Sequence, residues 1–177
     1  MIFHFVKLGF ILVSFLFIRC DSQHVSGSTA FEGRDFEQSM YKSPDIFQVD
    51  KIVDGDTFWV FNHAGQKLKV RLIGIDAPET RNVFKKKKHA FGLASKNYLD
   101  NILKQNPYIK LTFDVDSLDQ YGRTLAYAYL SDGSMINEQL IRNGYAVLMT
   151  VSPNIRFEKI FYESQMAARK NKRGIWK

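Results

Sequence analysis

Val53-Asp54-Gly55-Asp56-Thr57-Phe58-Trp59-Val60-Phe61 runs into Asn62-His63-Ala64-Gly65-Gln66 and returns as Lys67-Leu68-Lys69-Val70-Arg71-Leu72-Ile73-Gly74-Ile75-Asp76-Ala77-Pro78-Glu79. Two runs rich in β-branched and aromatic residues flank a polar Asn/Gly turn, which is how a β-hairpin looks in sequence. From Lys67 to Leu72 the chain alternates: Leu68, Val70 and Leu72 fall on one face, Lys67, Lys69 and Arg71 on the other. Arg71 therefore points away from the apolar face. Folding the hairpin about Ala64 sets Asp56 opposite Arg71 and Leu72, with Asp76 a few residues further along the returning strand. Two carboxylates and an arginine meet at one end of a sheet, and Glu79 follows just past Pro78. Such a cluster suits a metal ion together with a phosphate.

Working outward, residues 47–53 form a first strand, and the hairpin supplies the second and third. A loop over 80–89 carries the run Lys85-Lys86-Lys87-Lys88. It is either a solvated surface loop or a tracker of phosphates beside the site, with Lys85 and Lys86 as substrate contacts. A helix is predicted over 90–105, where Ala94, Tyr98, Leu99, Ile102 and Leu103 recur at helical spacing and Asn106-Pro107 stops it. Ile109, Leu111, Phe113 and Val115 alternate onto one face of a fourth strand. A turn over 116–122 leads to a fifth strand over 123–130. Ser134 is placed to cap a helix ending near Asn143, residues 146–150 are a brief extended piece, and a last helix follows Pro153-Asn154. The expected fold is α+β: a five-stranded Greek-key barrel of the oligonucleotide-binding (OB-fold) kind with three α-helices.

The division of the chain is equally readable. Residues 1–20 form a signal peptide or lipoprotein-type anchor, because Lys7 precedes an apolar run from Leu8 to Ile18. Arg19-Cys20-Asp21 then resembles the lipid-attachment site of bacterial lipoproteins, which makes Cys20 a candidate for acylation. The alternative is a signal cleaved further on, or retained, with Cys20 incidental. Residues 21–45 are a polar linker, and residues 46–177 form the folded domain. The expected protein is exported, held at the cell envelope or secreted, and monomeric. Cys20 is the single cysteine, so no internal disulfide is available. A net charge of +7 favours polyanionic partners, nucleic acid or an anionic membrane surface.

Asp56 and Asp76, with a backbone carbonyl, offer the oxygen donors that a hard cation such as Ca²⁺ takes. The structural alternative is a tight turn at Asp54-Gly55-Asp56 and a loop cap at Asp76. Glu79 is a candidate general base for a water molecule, or simply a loop glutamate. Arg71 and Arg123 present planar forks that match two phosphate oxygens, although either alone is more often a salt-bridge partner.

Three blocks sharpen this reading: Asp54-Gly55-Asp56-Thr57, Arg71-Leu72-Ile73-Gly74-Ile75-Asp76-Ala77-Pro78-Glu79, and Tyr121-Gly122-Arg123-Thr124-Leu125-Ala126-Tyr127. Together with Asn137-Glu138 and the closing Gly174-Ile175-Trp176, they resemble the signature of the staphylococcal nuclease (thermonuclease) family, collinear from about Phe47 to the end of the chain. The resemblance implies an OB-fold barrel with three helices and a Ca²⁺-dependent phosphodiesterase. Such an enzyme cuts DNA and RNA to 3′-phosphates and 5′-hydroxyls. It implies that Asp56, Asp76 and the Ala77 carbonyl hold the cation, that Asp54 and Thr57 support them, and that Glu79 is the proposed base. It also implies that Arg71 and Arg123 bind the phosphate and that Tyr121 lies beside the nucleotide. Where the family prototype has two tyrosines near the base, just before a proline, this chain has Met149 and Val151 ahead of Pro153. Ala77 stands where the prototype has threonine. The competing class is a non-catalytic nucleic-acid or polyanion-binding module on the same barrel at the envelope. Degenerate copies of that kind have usually lost the acidic and arginine positions retained here.

Overall fold

The computed structural model describes residues 43–80 and 90–177. The N-terminal segment with Cys20, nearly all of the linker, and the loop bearing Lys85 and Lys86 lie outside the described residues.

Five strands close into a barrel: β1 (Ile46–Asp54), β2 (Thr57–Phe61), β3 (Lys67–Leu72), β5 (Tyr108–Thr112) and β6 (Thr124–Tyr129), joined in the order β1-β2-β3-β6-β5 and closed by β5 against β1. All pairs are antiparallel except β3 with β6, which run parallel. The predicted hairpin forms, with Phe58 opposite Val70, Val60 opposite Leu68, and Thr57 opposite Arg71. The alternation has the expected consequence: Val70 and Leu72 are buried in the barrel with Phe58 and Val60, while Lys67, Lys69 and Arg71 stand on the outside. Among the described residues, three α-helices complete the fold: α1 (Gly92–Gln105), α2 (Ile136–Arg142) and α3 (Glu158–Lys170). Leu99 and Leu103 of α1, Leu140 and Ile141 of α2, and Phe161 of α3 extend the barrel core. Fully burying a side chain of this size contributes about 1.5–3 kcal/mol, which is how a domain with no cysteine holds together.

Several local expectations change. The fourth barrel strand, β5, stops at Thr112, so Phe113 and Val115 are exposed rather than sharing the face of Ile109 and Leu111. The chain turns off there because Asp114 is engaged elsewhere: its Oδ2 accepts the Tyr127 hydroxyl at 2.7 Å, and Arg156 pairs with Oδ1 at 3.3 Å. Ser134 does not cap α2. Met135 occupies the N-cap with extended backbone, and Ser134 Oγ instead donates to Asp132 Oδ1 at 2.6 Å and accepts from Gln139 Nε2 at 2.8 Å. A two-stranded ribbon was not anticipated. β4 (Ile75–Asp76) pairs with β7 (Val147–Leu148), placing Asp76 opposite Val147. Two-residue strands give no period to read, yet this pair fixes the segment that carries Asp76.

Candidate active site

The acidic turn between β1 and β2 is built by packing as much as by hydrogen bonding. A Cβ on Gly55 would lie 2.7 Å from Ala77 Cβ and 2.9 Å from Ser95 Cβ, so only glycine lets the turn close against α1 and the Ala77 segment. Asp56 is buried, with its Oδ1 accepting the Thr57 hydroxyl at 2.8 Å and its Oδ2 accepting the Ala77 amide at 2.9 Å. Its own carbonyl accepts the Leu72 amide at 3.0 Å. Asp54 accepts the Gly55 amide at 3.0 Å through Oδ1 and the Thr80 hydroxyl at 3.2 Å through Oδ2. The segment 77–80 is thus pinned at both ends to the acidic turn, and half-buried Glu79 lies between the pins. Helix α1 closes over it: any side chain at Gly92 would run into the Glu79 carbonyl.

Arg71 joins the two carboxylates. Its Nη2 lies 3.2 Å from Asp56 Oδ2 and 3.2 Å from Asp76 Oδ1. Its Nη1 donates to the carbonyls of Leu72 at 2.7 Å and Ile75 at 2.8 Å. With the arginine side chain 13 % exposed, this is a nearly buried charge whose partners are all placed. Losing one member of such a set costs about 3–5 kcal/mol, because the remaining charge is left unsatisfied. The fork expected to face phosphate is therefore also a structural tie, holding the returning strand to the acidic turn. Asp56 and Asp76 converge on one cationic nitrogen, so their oxygens face a common point that takes positive charge. Among the described residues, no group of three or more His, Cys, Asp or Glu side chains is arranged to hold a metal. Arg71 Nη2 holds that point here; a cation beside it would rely on two carboxylates, a carbonyl and oxygens from solvent or substrate.

Arg123 approaches from the turn before β6. Asp119 organises it: Oδ1 accepts the amides of Tyr121 and Arg123, both at 2.9 Å, and Oδ2 accepts Arg123 Nε at 2.6 Å. Burial works to raise the Asp119 carboxyl pKa. Those hydrogen bonds and the guanidinium charge outweigh it and hold the group below its usual range. The Tyr121 ring, largely exposed, lies 5.4 Å from the Arg123 guanidinium carbon. Using Nε for Asp119 aims the guanidinium without consuming the outer edge of its fork.

Both arginines line one cleft of about 310 Å³, with Asp119, Tyr121, Met149 and Val151 also in its wall. Asp56, Asp76 and Glu79 are not among the residues of that wall; Arg71 is the member of the acidic cluster that reaches it. Thus Asp54, Asp56, Thr57, Arg71, Asp76 and Ala77 come together at one end of the hairpin, Glu79 follows on the pinned segment, and Arg123 with Tyr121 shares a cleft with Arg71 of that cluster. Met149 and Val151, 44 % and 62 % exposed, add an apolar, non-aromatic stretch to the wall that Tyr121 shares.

Three residues to which the sequence reading assigns no role in the site support this arrangement. Asp119 was read only as part of a turn, although an Asp two and four residues before the groups it binds is a usual turn-forming pattern. Asn137 is fully buried: its Oδ1 accepts the Ala128 amide at 3.0 Å and its Nδ2 donates to the Ile73 carbonyl at 2.9 Å. That latch fixes the turn between Arg71 and Asp76. Ser95, also fully buried, donates to the Tyr145 carbonyl at 2.7 Å.

Comparison with known proteins places these features in context. A family model described as staphylococcal nuclease homologue matches residues 69–177. A thermonuclease of Staphylococcus intermedius is 29 % identical over 171 residues, covering 97 % of each chain. A thermonuclease of Staphylococcus hyicus is 28 % identical over the same length and coverage. The endonuclease YncB of Bacillus subtilis is 34 % identical over 130 residues, 72 % of this chain and 60 % of its own.

Proposed function

The chain belongs to the staphylococcal nuclease homologue family, and from that membership we propose an exported, Ca²⁺-dependent nuclease that hydrolyses DNA and RNA with little sequence specificity. It is a phosphodiester hydrolase acting on nucleic acid; the cation, the products and the location are the proposal. The observation that carries it is the placement of Arg71: one guanidinium touches both Asp56 and Asp76 and also lines the cleft that holds Arg123.

In this reading Arg71 and Arg123 bind the scissile phosphate, and their charge opposes the negative charge that builds on it as water attacks. Glu79 orients the water and accepts its proton. The oxygen attacks phosphorus, the bond from phosphorus to the 5′-oxygen breaks, and the leaving oxygen takes a proton from solvent, giving 3′-phosphate and 5′-hydroxyl ends. Asp56, Asp76 and the Ala77 carbonyl would hold Ca²⁺, with Asp54 and Thr57 supporting them; the carboxylate and carbonyl donors suit a hard cation. When bound, the ion would supply Lewis-acid polarisation of the phosphate. Tyr121 packs beside the nucleotide, and Met149 and Val151 offer it an apolar wall in place of stacking rings.

Export and tethering rest on the apolar run from Leu8 to Ile18 and on Cys20. Mass spectrometry of the mature protein would identify its first residue and any acyl chain. The nuclease proposal is tested by incubating purified protein with DNA and with RNA, in Ca²⁺ or in chelator. Cleavage of both in Ca²⁺ and neither in chelator is expected. A folded sample that cuts nothing in Ca²⁺ would end the proposal, and equal cleavage in chelator would remove the metal from it.

A further inference from the structure

The outer face of the hairpin carries a second feature that the cleft does not use. Cross-strand partners share a face, and the register places Lys51, Trp59 and Lys69 in one row across β1, β2 and β3. The next row pairs Phe61 with Lys67, and the row on the other side ends in Arg71. Cations and rings are interleaved: Lys67 Nζ lies 5.3 Å from the Trp59 ring centre and 5.4 Å from that of Phe61, and Lys69 Nζ lies 5.9 Å from Trp59. One acid, Asp50, pairs with Lys67 at 2.6 Å and anchors that ammonium beside the rings. Neither ring is fully buried.

Along β3, Arg71, Lys69 and Lys67 are two residues apart on the same face. Each step is about 6.5–7 Å and the whole row about 13–14 Å. That spacing is close to the separation of successive phosphates in an extended strand. The row begins at Arg71, which also lines the cleft. We propose that this face is an extended binding track for a single-stranded segment of nucleic acid flanking the bond to be cut. Lys69 and Lys67 take successive phosphates, and Trp59 and Phe61 offer ring faces to the bases. Basic grooves with aromatic platforms are the usual means of holding single strands without reading sequence. The proposal deepens the nuclease reading and rests on it for the substrate class.

The test compares the wild type with the Lys67→Gln/Lys69→Gln variant. Fluorescence anisotropy would report binding of phosphorothioate single strands in chelator, so that binding is read without turnover. A strand of about ten nucleotides, long enough to pass over the hairpin, should bind the variant about tenfold more weakly. The slope of log affinity against log salt should shrink by about 1.4, from about 0.7 for each of two lost phosphate contacts. The loss should be several-fold greater for the long strand than for a dinucleotide. In a Trp176→Phe background the long strand should quench the fluorescence of Trp59. Unchanged affinity and salt slope for the long strand would overturn the track, as would an equal loss for the dinucleotide. A protein that binds through these lysines yet cuts nothing in Ca²⁺ would remove the nuclease reading and leave the track standing.

Discussion

Replacing Asp119 by Asn probes how Arg123 is aimed. The two groups are close to isosteric, and Asn keeps an oxygen for the amides of Tyr121 and Arg123, which both sit 2.9 Å from Oδ1. The other half of the side chain changes sign. Oδ2 now accepts Arg123 Nε at 2.6 Å, whereas an amide NH₂ there opposes one donor to another. A hydrogen bond between charged groups contributes about 1.5–3 kcal/mol. The pair is partly solvated, with side chains 28 % and 16 % exposed, so about 1–2 kcal/mol is the expected loss after screening. For a domain of this size that lowers Tm by about 3–8 °C. Activity should fall further than stability, because a misplaced group of about 1 Å costs on the order of 10²-fold. Steady-state cleavage of a labelled oligonucleotide should show kcat/KM reduced about 10- to 100-fold, with the loss mainly in kcat. The pH dependence has a definite sign. The folded state holds the Asp119 carboxyl below its usual range, so its contribution to stability is full above the unfolded carboxylate pKa. It disappears as pH falls through the depressed folded value. The stability gap between wild type and Asp119→Asn should therefore close in acid. A variant within twofold of wild type in kcat/KM would refute the positioning role.

Asn137→Leu leaves the Ala128 amide and the Ile73 carbonyl buried without partners. At about 1–3 kcal/mol each, denaturant titration should show about 2–5 kcal/mol lost. Gly55→Ala forces a methyl against Ala77 and Ser95, which should cost about 1–3 kcal/mol by overpacking and lower kcat by displacing the Asp56 turn. Lys67→Gln/Lys69→Gln should flatten the salt dependence of long-strand binding by about 1.4 in slope, as measured by anisotropy.

The hairpin was legible because its signals are local and repeated. The alternation of Lys67 to Leu72 fixed which side Arg71 occupies, and a turn about Ala64 set Asp56 opposite Arg71 and Leu72, within one residue of the observed pairing of Thr57 with Arg71. The barrel followed from the order of elements, and helix α1 from its spacing. What sequence did not show depends on contacts between distant segments. The ribbon of Ile75–Asp76 with Val147–Leu148 is too short for periodicity, and the end of β5 at Thr112 is set by Tyr127 and Arg156 reaching Asp114. In the site, residue types and their end of the sheet were readable. The engagement of Arg71 with two carbonyls and two carboxylates was not, since nothing in a one-dimensional pattern shows how many acceptors a guanidinium meets. Asp119 was hidden for a related reason: two of its three hydrogen-bond donors are backbone amides, which every sequence contains.

In the proposed mechanism Arg71 and Arg123 act on one phosphate. The measurement that tests it most directly is a double-mutant cycle on kcat/KM with Arg71→Lys, Arg123→Lys and the pair, each checked for folding. Lysine keeps the charge but loses the fork. Each single change should cost on the order of 10²-fold or more, and the double variant should lose clearly less than the product of the two, as groups serving one transition state do. Losses that multiply in full, or a single variant that retains wild-type activity, would contradict the account.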